Sequence, residues 1–284
     1  MDRDDDTNDQ DHEEESVTNY SWELEGGEKP PFNTEEYLEV LAQRRDFESI
    51  SRKHYCFNQI NASVAEPIRN FRGAEFPNGD YSTINDERFD ITDLYKAKLR
   101  GNFVGMSFAL STLAEADLFN VNLFNADFRS ANLYRCNLKR ANVSSVNFRM
   151  ATLVEANLVW ARGINSDFTF AHMCHAMMSF GQFPKAVFDG AHLLWAYLDN
   201  SILSNAFMAG AQLQYANLTH ADLSGCDFSG ANLECARIEN ATISRATDFS
   251  GAIMPNGERF TTEGLNGPEE IIERYRYIDP DEDL

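Results

Sequence analysis

Between Ala116 and Leu138 the chain reads ADLFNVNLFNADFRSANLYRCNL, and its large apolar residues are Leu118, Leu123, Phe128, Leu133 and Leu138. They fall on every fifth residue. A helix buries a face every 3.6 residues and a strand every second one, so the beat fits neither. It runs without a slip from Phe103 to Ile243, through 29 units. At the centre of each unit, position i, 28 of the 29 residues are Leu, Phe, Ile, Val or Met; the exception is Gly163. Position i−2 is small, with Ala in 19 units, and i−1 is Asp or Asn in 14. The same spacing runs one residue out of phase through Ile84, Phe89, Leu94 and Leu99, which places a slip near Gly101. A second slip precedes Phe249 and Met254.

One large and one small inward residue in five predicts a short extended side with a turn at each corner. The number of sides comes from a longer period. Every fourth centre gives Phe108, Phe128, Phe148, Phe168, Phe188, Met208 and Phe228, a column that holds six of the eight centre phenylalanines. Like stacked on like every 20 residues predicts four sides per coil. Successive passes then lie about 4.8 Å apart, so seven coils make a rod roughly 35 Å long.

The units Ala116-Asp117-Leu118-Phe119-Asn120 and Ala231-Asn232-Leu233-Glu234-Cys235 resemble the A(D/N)LXX motif of the pentapeptide-repeat family. The resemblance covers about residues 82–254. It implies an all-β solenoid, a right-handed four-sided β-helix with short helical caps at one or both ends.

Outside the repeat the reading is coarser. Residues 1–28 hold 12 acidic residues and one basic residue, which predicts a disordered acidic tail. Residues 29–81 are expected to be a partly helical segment that caps or packs on the coil. Asn33 or Thr34 caps a helix running to Arg45, with Tyr37, Leu38, Leu41 and Val40 on its buried face. Residues 255–284 read as a C-terminal cap with a helix over 268–277 and an acidic tail. Pro268 starts that helix, Glu269 and Glu270 suit its positive pole, and Ile271, Ile272 and Tyr275 share a face.

Charge narrows the function classes. The chain carries a formal net charge of −21, yet residues 81–254, with 16 acidic and 13 basic residues, contribute only −3 of it. No apolar run approaches the roughly 18 residues of a membrane span, and the first residues lack the basic and apolar regions of a secretory signal. Five scattered cysteines make no disulfide framework, and Cys136 and Cys226 fall at inward i−2 positions. A reducing cytoplasm is the expected setting.

No phosphate loop, dinucleotide fingerprint or zinc spacing is present. His172-Met173-Cys174-His175 is the best metal candidate, since His172 and His192 share an outward column one coil apart. It offers only a loose ligand set where zinc takes four, and surface polar positions are the plainer reading. A convex rod offers no cleft to dry and orient catalytic groups, so no enzyme activity, cofactor or metal is expected.

The i−1 column is more informative. Nine consecutive units depart from Asp or Asn there: His172, Met177, Gln182, Val187, His192, Tyr197, Ile202, Phe207 and Gln212. The same coils carry further outward bulk, so Trp160, Met177, Phe180, Trp195, Tyr197, Phe207 and Tyr215 form the expected partner surface. The occupant is a protein of unknown identity, a second copy, or the chain's own residues 30–80. A basic set, Arg129, Arg135, Lys139, Arg140 and Arg149, reads as solvated surface or as an electrostatic patch that docks the acidic tail. The function expected is a non-catalytic protein–protein interaction scaffold, with no direct contact to nucleic acid or membrane. The resemblance implies an alternative, a DNA mimic that binds a type II topoisomerase or another DNA-binding protein. B-DNA carries one negative charge per about 1.7 Å, so a 35 Å mimic wants on the order of 20, which the coil's −3 does not supply.

Overall fold

A computed structural model describes residues 70–82, 89–265 and 267–276. The expected acidic tail and the helix to Arg45 lie outside the described residues.

Each five-residue unit is a short extended segment followed by a turn. The N–H of Ala131 donates to the carbonyl of Phe128 at 3.0 Å, and Ser130, the second central residue, has φ of 55°. A positive φ at that position defines a type II turn. The pattern repeats at the i+2 corners, where non-glycine residues sit at φ between 53° and 63°. Four such corners turn the chain once in 20 residues. Parallel bridges therefore join Ser107 to Asp127, Asp127 to Asn147 and Asn147 to Asp167. Between passes, the N–H of Phe128 donates to Asn147 and that of Asn132 to Ser111, at 2.7 and 2.8 Å. The four-sided coil is thus held by backbone bonds on every side.

One column can be followed through ten passes, from Asn70 through Asp93, Thr112, Asn132, Thr152, His172, His192, Gln212 and Asn232 to Ile253. At about 4.8 Å per step the ladder is about 43 Å long. It begins at Asn70, earlier than the repeat is visible in sequence. Strand β1 (Glu75–Asp80) follows Asn70 in the same first pass and pairs in parallel with β2 (Lys98–Asn102).

Inside, the i and i−2 side chains fill the coil. Phe89, Phe108, Phe128, Phe148, Phe168 and Phe188 are buried and stack with ring centroids 4.7–5.3 Å apart. Met208 interrupts the column, and Phe228 resumes it against Phe249 at 5.1 Å. Cys136 and Cys226 are buried as expected, and burial pushes both thiols up, Cys226 to about 12.

Both irregularities of the beat have a visible cause. At the first, Lys98 still pairs with Asp117, 19 residues on, whereas Asn102 pairs with Asn122, 20 residues on. Gly101 sits at the shift with φ of 98°, and a Cβ there would lie 2.2 Å from the carbonyl oxygen of Gly79, so only glycine fits. The second adds a residue between Thr242, paired with Asp222, and Asp248, paired with Asp227. The empty centre at Gly163 is filled from the next pass: a Cβ there would lie 2.4 Å from the buried ring of Phe183.

At the far end, Ile253 pairs antiparallel with Arg259, so the chain doubles back on the last pass. Helix α1 (Glu269–Tyr275), led by Pro268, follows. Ile271 and Tyr275 are buried and Ile272 packs against the same interior. Tyr275 lies 5.8 Å from Phe260, which lies 5.4 Å from Phe249. The Tyr275 hydroxyl donates to the Thr261 carbonyl and accepts from its N–H, both at 3.0 Å.

Two substitutions test this packing. Phe148→Ala removes a mid-stack ring and is expected to cost about 3–5 kcal/mol, read from the urea midpoint. Gly163→Ala is expected to cost about 1–3 kcal/mol by overpacking against Phe183, with part recovered when Phe183→Leu is added. A neutral Gly163→Ala would contradict the assigned contact.

Candidate interaction surface

The outward faces take their character from i−1. Where Asp or Asn stands there, its Oδ1 accepts the N–H of residue i+1, the first central residue of the turn. Phe119 donates to Asp117 at 3.1 Å, Tyr134 to Asn132 at 3.0 Å and Val159 to Asn157 at 3.1 Å. The acidic and amide side chains therefore close each corner as Asx turns, a role the spacing alone had not revealed. They also bond along the rod: Asn142 donates to Asn122, Asn122 to Asn102 and Asn102 to Asp80, at 2.8–2.9 Å.

The four sides are numbered here in chain order from the phenylalanine column. Side three carries Asn157, Met177, Tyr197 and Asn217 at i−1 in successive passes. It is bordered by the corner of side two, with His175, Trp195 and Tyr215, and by its own corner, with Trp160 and Phe180. Six of the seven expected surface residues thus meet on one side of the coil. Phe207 does not. It pairs with Val187 on side one, two turns of the chain away and hence opposite. The error came from treating consecutive departures as neighbours, when successive units face successive sides.

The six form two ladders of rings with Met177 and Tyr197 between them. Trp195 and Tyr215 stack at 4.3 Å and 6°, Trp160 and Phe180 at 4.7 Å and 12°. His175 lies parallel to Trp195 at 6.3 Å. Trp160 is 49% exposed and Tyr215 44%, while Met177, Phe180, Trp195 and Tyr197 are half-buried. All four aromatic corners sit at φ of 57–60°, a conformation that costs an L-residue about 1–2 kcal/mol. These positions supply rings where the backbone alone would prefer glycine or asparagine.

The histidine column is as the spacing suggested: His172 and His192 stack at 4.9 Å and 21°. No group of three or more metal-binding side chains occurs among the described residues. Burial pushes both His192 and His175 below the ordinary imidazole value, partly opposed at His175 by Glu155.

The five basic residues do not form one patch. Arg129 and Arg149 lie on side one, Arg135 at the corner of side two, and Lys139 and Arg140 beside the corner of side three. Arg129 pairs with Asp127 at 2.7 Å, Arg135 with Glu155 at 2.6 Å and Arg149 with Asp167 at 3.2 Å. Exposed pairs of this kind are worth about 0–1 kcal/mol each.

Comparison with known proteins settles what the repeat is. The profile of the family described as pentapeptide repeats matches eight times, over segments that run from residue 111 to 245: 111–149, 141–179, 166–205, 191–230 and 206–245. Residues 111–245 are pentapeptide repeats. No curated protein matches the chain. Among solved structures, the pentapeptide-repeat chain is similar to HetL of the cyanobacterium Nostoc sp. strain PCC 7120, a protein involved in heterocyst differentiation regulation. The two are 23% identical over 72% of this chain and 98% of HetL, with a TM-score of 0.29. QnrB1, a plasmid-mediated fluoroquinolone resistance protein, is 16% identical over 54% of this chain and 87% of its own, with a TM-score of 0.32. A pentapeptide-repeat protein of the Arabidopsis thaliana thylakoid lumen is 24% identical over 41% and 67%, with a TM-score of 0.26. Overlaps this low carry no functional argument. No helix among the described residues is long and apolar enough to cross a membrane.

His175 and His192 of the pentapeptide-repeat coil make stability depend on pH. Their folded values lie below the ordinary 6.5, so the unfolded chain takes up protons that the folded one refuses. Their contribution is complete above 6.5 and is lost as pH falls below it. The urea midpoint is expected to drop between pH 7.5 and 5.5, and His192→Gln to flatten that slope. A midpoint that rises on acidification in this window would contradict the assignment.

Proposed function

We propose that this chain is a non-catalytic scaffold that recognises a protein partner, or a second copy of itself, through side three. The observation that carries the reading is the break in the Asx column. Met177 and Tyr197 replace residues that elsewhere close the corner by a hydrogen bond, and the two ring ladders border them. The exchange gives up local hydrogen bonds for apolar surface, and apolar surface is rewarded only when covered, by roughly 25 cal/mol per Å². Trp and Tyr are also the side chains that dominate binding energy in protein interfaces. Phe207 is left out of this surface. The repeats are read as ending under α1, whose Tyr275 continues the interior past the last pass.

Mimicry of DNA, toward a type II topoisomerase, has weaker support. The fluoroquinolone resistance described for QnrB1 belongs to that protein. Here residues 81–254 are nearly balanced, and Asp127 and Asp167 are neutralised by Arg129 and Arg149. A 43 Å stretch of B-DNA carries about 25 negative charges.

The full-length chain and its Trp195→Ala/Tyr197→Ala variant test the reading side by side. Both rings lie outside the interior, so the variant is expected to keep its melting temperature within a few degrees. Partner capture from lysate of the native organism, or self-association by sedimentation, is expected to be lost. Binding that survives the double change would move the surface elsewhere.

A further inference from the structure

We propose that side one is an interface between two copies of this chain, packed antiparallel about a two-fold axis that crosses the face between Val187 and Phe207. Side one lies opposite the surface argued above. The proposal therefore goes beyond that reading: it assigns the second copy to side one and leaves side three to a partner of another kind.

The face carries exposed apolar bulk. Phe207 is 47% exposed, Phe170 55% and Met150 45%. They lie in two adjoining columns. One runs along the side through Asn147, Asp167, Val187, Phe207, Asp227 and Asp248. The other is the corner of that side, through Met150, Phe170, Gly190, Gly210, Gly230 and Gly251, all at φ of 55–69°. The corner is thus large in its early passes and glycine in its late ones. The ring of Phe170 leans over Gly190, where a Cβ would meet it at 2.4 Å. A Cβ at Gly210, Gly230 or Gly251 would meet nothing within 4 Å, so the late half of the corner is an open shelf.

Symmetry fixes what fills the shelf. Side one laid on side one about this axis sets each column against itself in reverse order, as an isologous interface requires. Val187 then meets Phe207 of the second copy, and Phe207 meets its Val187. The Phe170 ring, carried to the level of Gly190, meets the second copy's Gly210, and Met150 meets its Gly251. Asp189 faces Ala209, so no like charges meet at the centre. Charge matches as well. Arg149 bonds to Asp167 at 3.2 Å, which brings its guanidinium to the level opposite the second copy's Asp227. Each pairing occurs twice. An unrelated protein would not need one half of this face to complement the other. From Asn147 to Asp248 the face spans five steps, about 24 Å. That is a small interface, so the dimer is expected to dissociate in the micromolar range. It presents its two copies of side three outward, on opposite flanks.

Sedimentation of the purified full-length chain over a concentration series, from about 1 to about 200 μM, tests this. A reversible monomer–dimer equilibrium is expected. Gly210→Arg fills the shelf and is expected to hold the chain monomeric throughout. Arg135 and Arg140 already stand at corners of this conformation, so the variant is expected to keep its melting temperature within a few degrees. Charge reversal gives a second measurement. Arg149→Glu is expected to weaken the dimer about tenfold or more, and Asp227→Arg added to it to restore association. Trp195→Ala/Tyr197→Ala is expected to leave the dimer intact, so that lysate capture reports on side three and sedimentation on side one. A native chain that stays monomeric over the whole series overturns the proposal. So does a dimer that survives Gly210→Arg, a charge exchange that restores nothing, or a dimer lost in the side-three variant.

Discussion

Everything in this molecule depends on one repeated backbone event, the type II turn that places every fifth residue in a left-handed conformation. Four of these corners return the chain to its starting azimuth in 20 residues, and only that closure lets each peptide group meet its counterpart one pass away. The left-handed corners are individually unfavourable for L-residues. They persist because each is bracketed by a hydrogen bond across the turn, by bonds to the neighbouring passes and, in about half of the units, by an Asp or Asn oxygen. The interior follows from the corners. A side with room for two inward residues takes one small and one large, and stacking like on like gives the phenylalanine column.

The sequence disclosed this architecture almost completely, because a solenoid writes its packing into a single period. The large apolar residue, the small one and the fourfold column were all legible, as were both slips. What was not legible has a common cause: a period reports azimuth but not contact. That Gly163 makes room for Phe183 appears only when the ring of one pass is seen over the backbone of another. The pass that includes β1 was missed because Glu75–Asp80 lacks the beat and joins through the irregular pairing at Gly79 and Gly101. The Asx role of i−1 was hidden behind the plainer idea that polar residues face water.

The candidate surface shows the same division. Six residues chosen for outward bulk converge on side three, while Phe207 falls opposite, since neighbours on this fold are residues 20 apart and not five. The basic residues scatter for the same reason, over three faces, and three of the five are matched by carboxylates. Charge on such a rod is read column by column, and a net value for the coil conceals its placement.

The unbroken 20-residue register between Asn102 and Thr242 also constrains how this surface can change over evolutionary time. Insertion of a whole coil lengthens the rod and leaves every azimuth as it was. Insertion of a single pentad keeps the interior satisfied but turns everything downstream by a quarter, so that residues once aligned face different directions. The two one-residue slips lie at Gly101 and after Thr242, both outside the ring ladders. The stretch that bears Trp160 to Tyr215 is therefore a segment in which length is quantised in twenties, and recognition, unlike folding, does not tolerate fives.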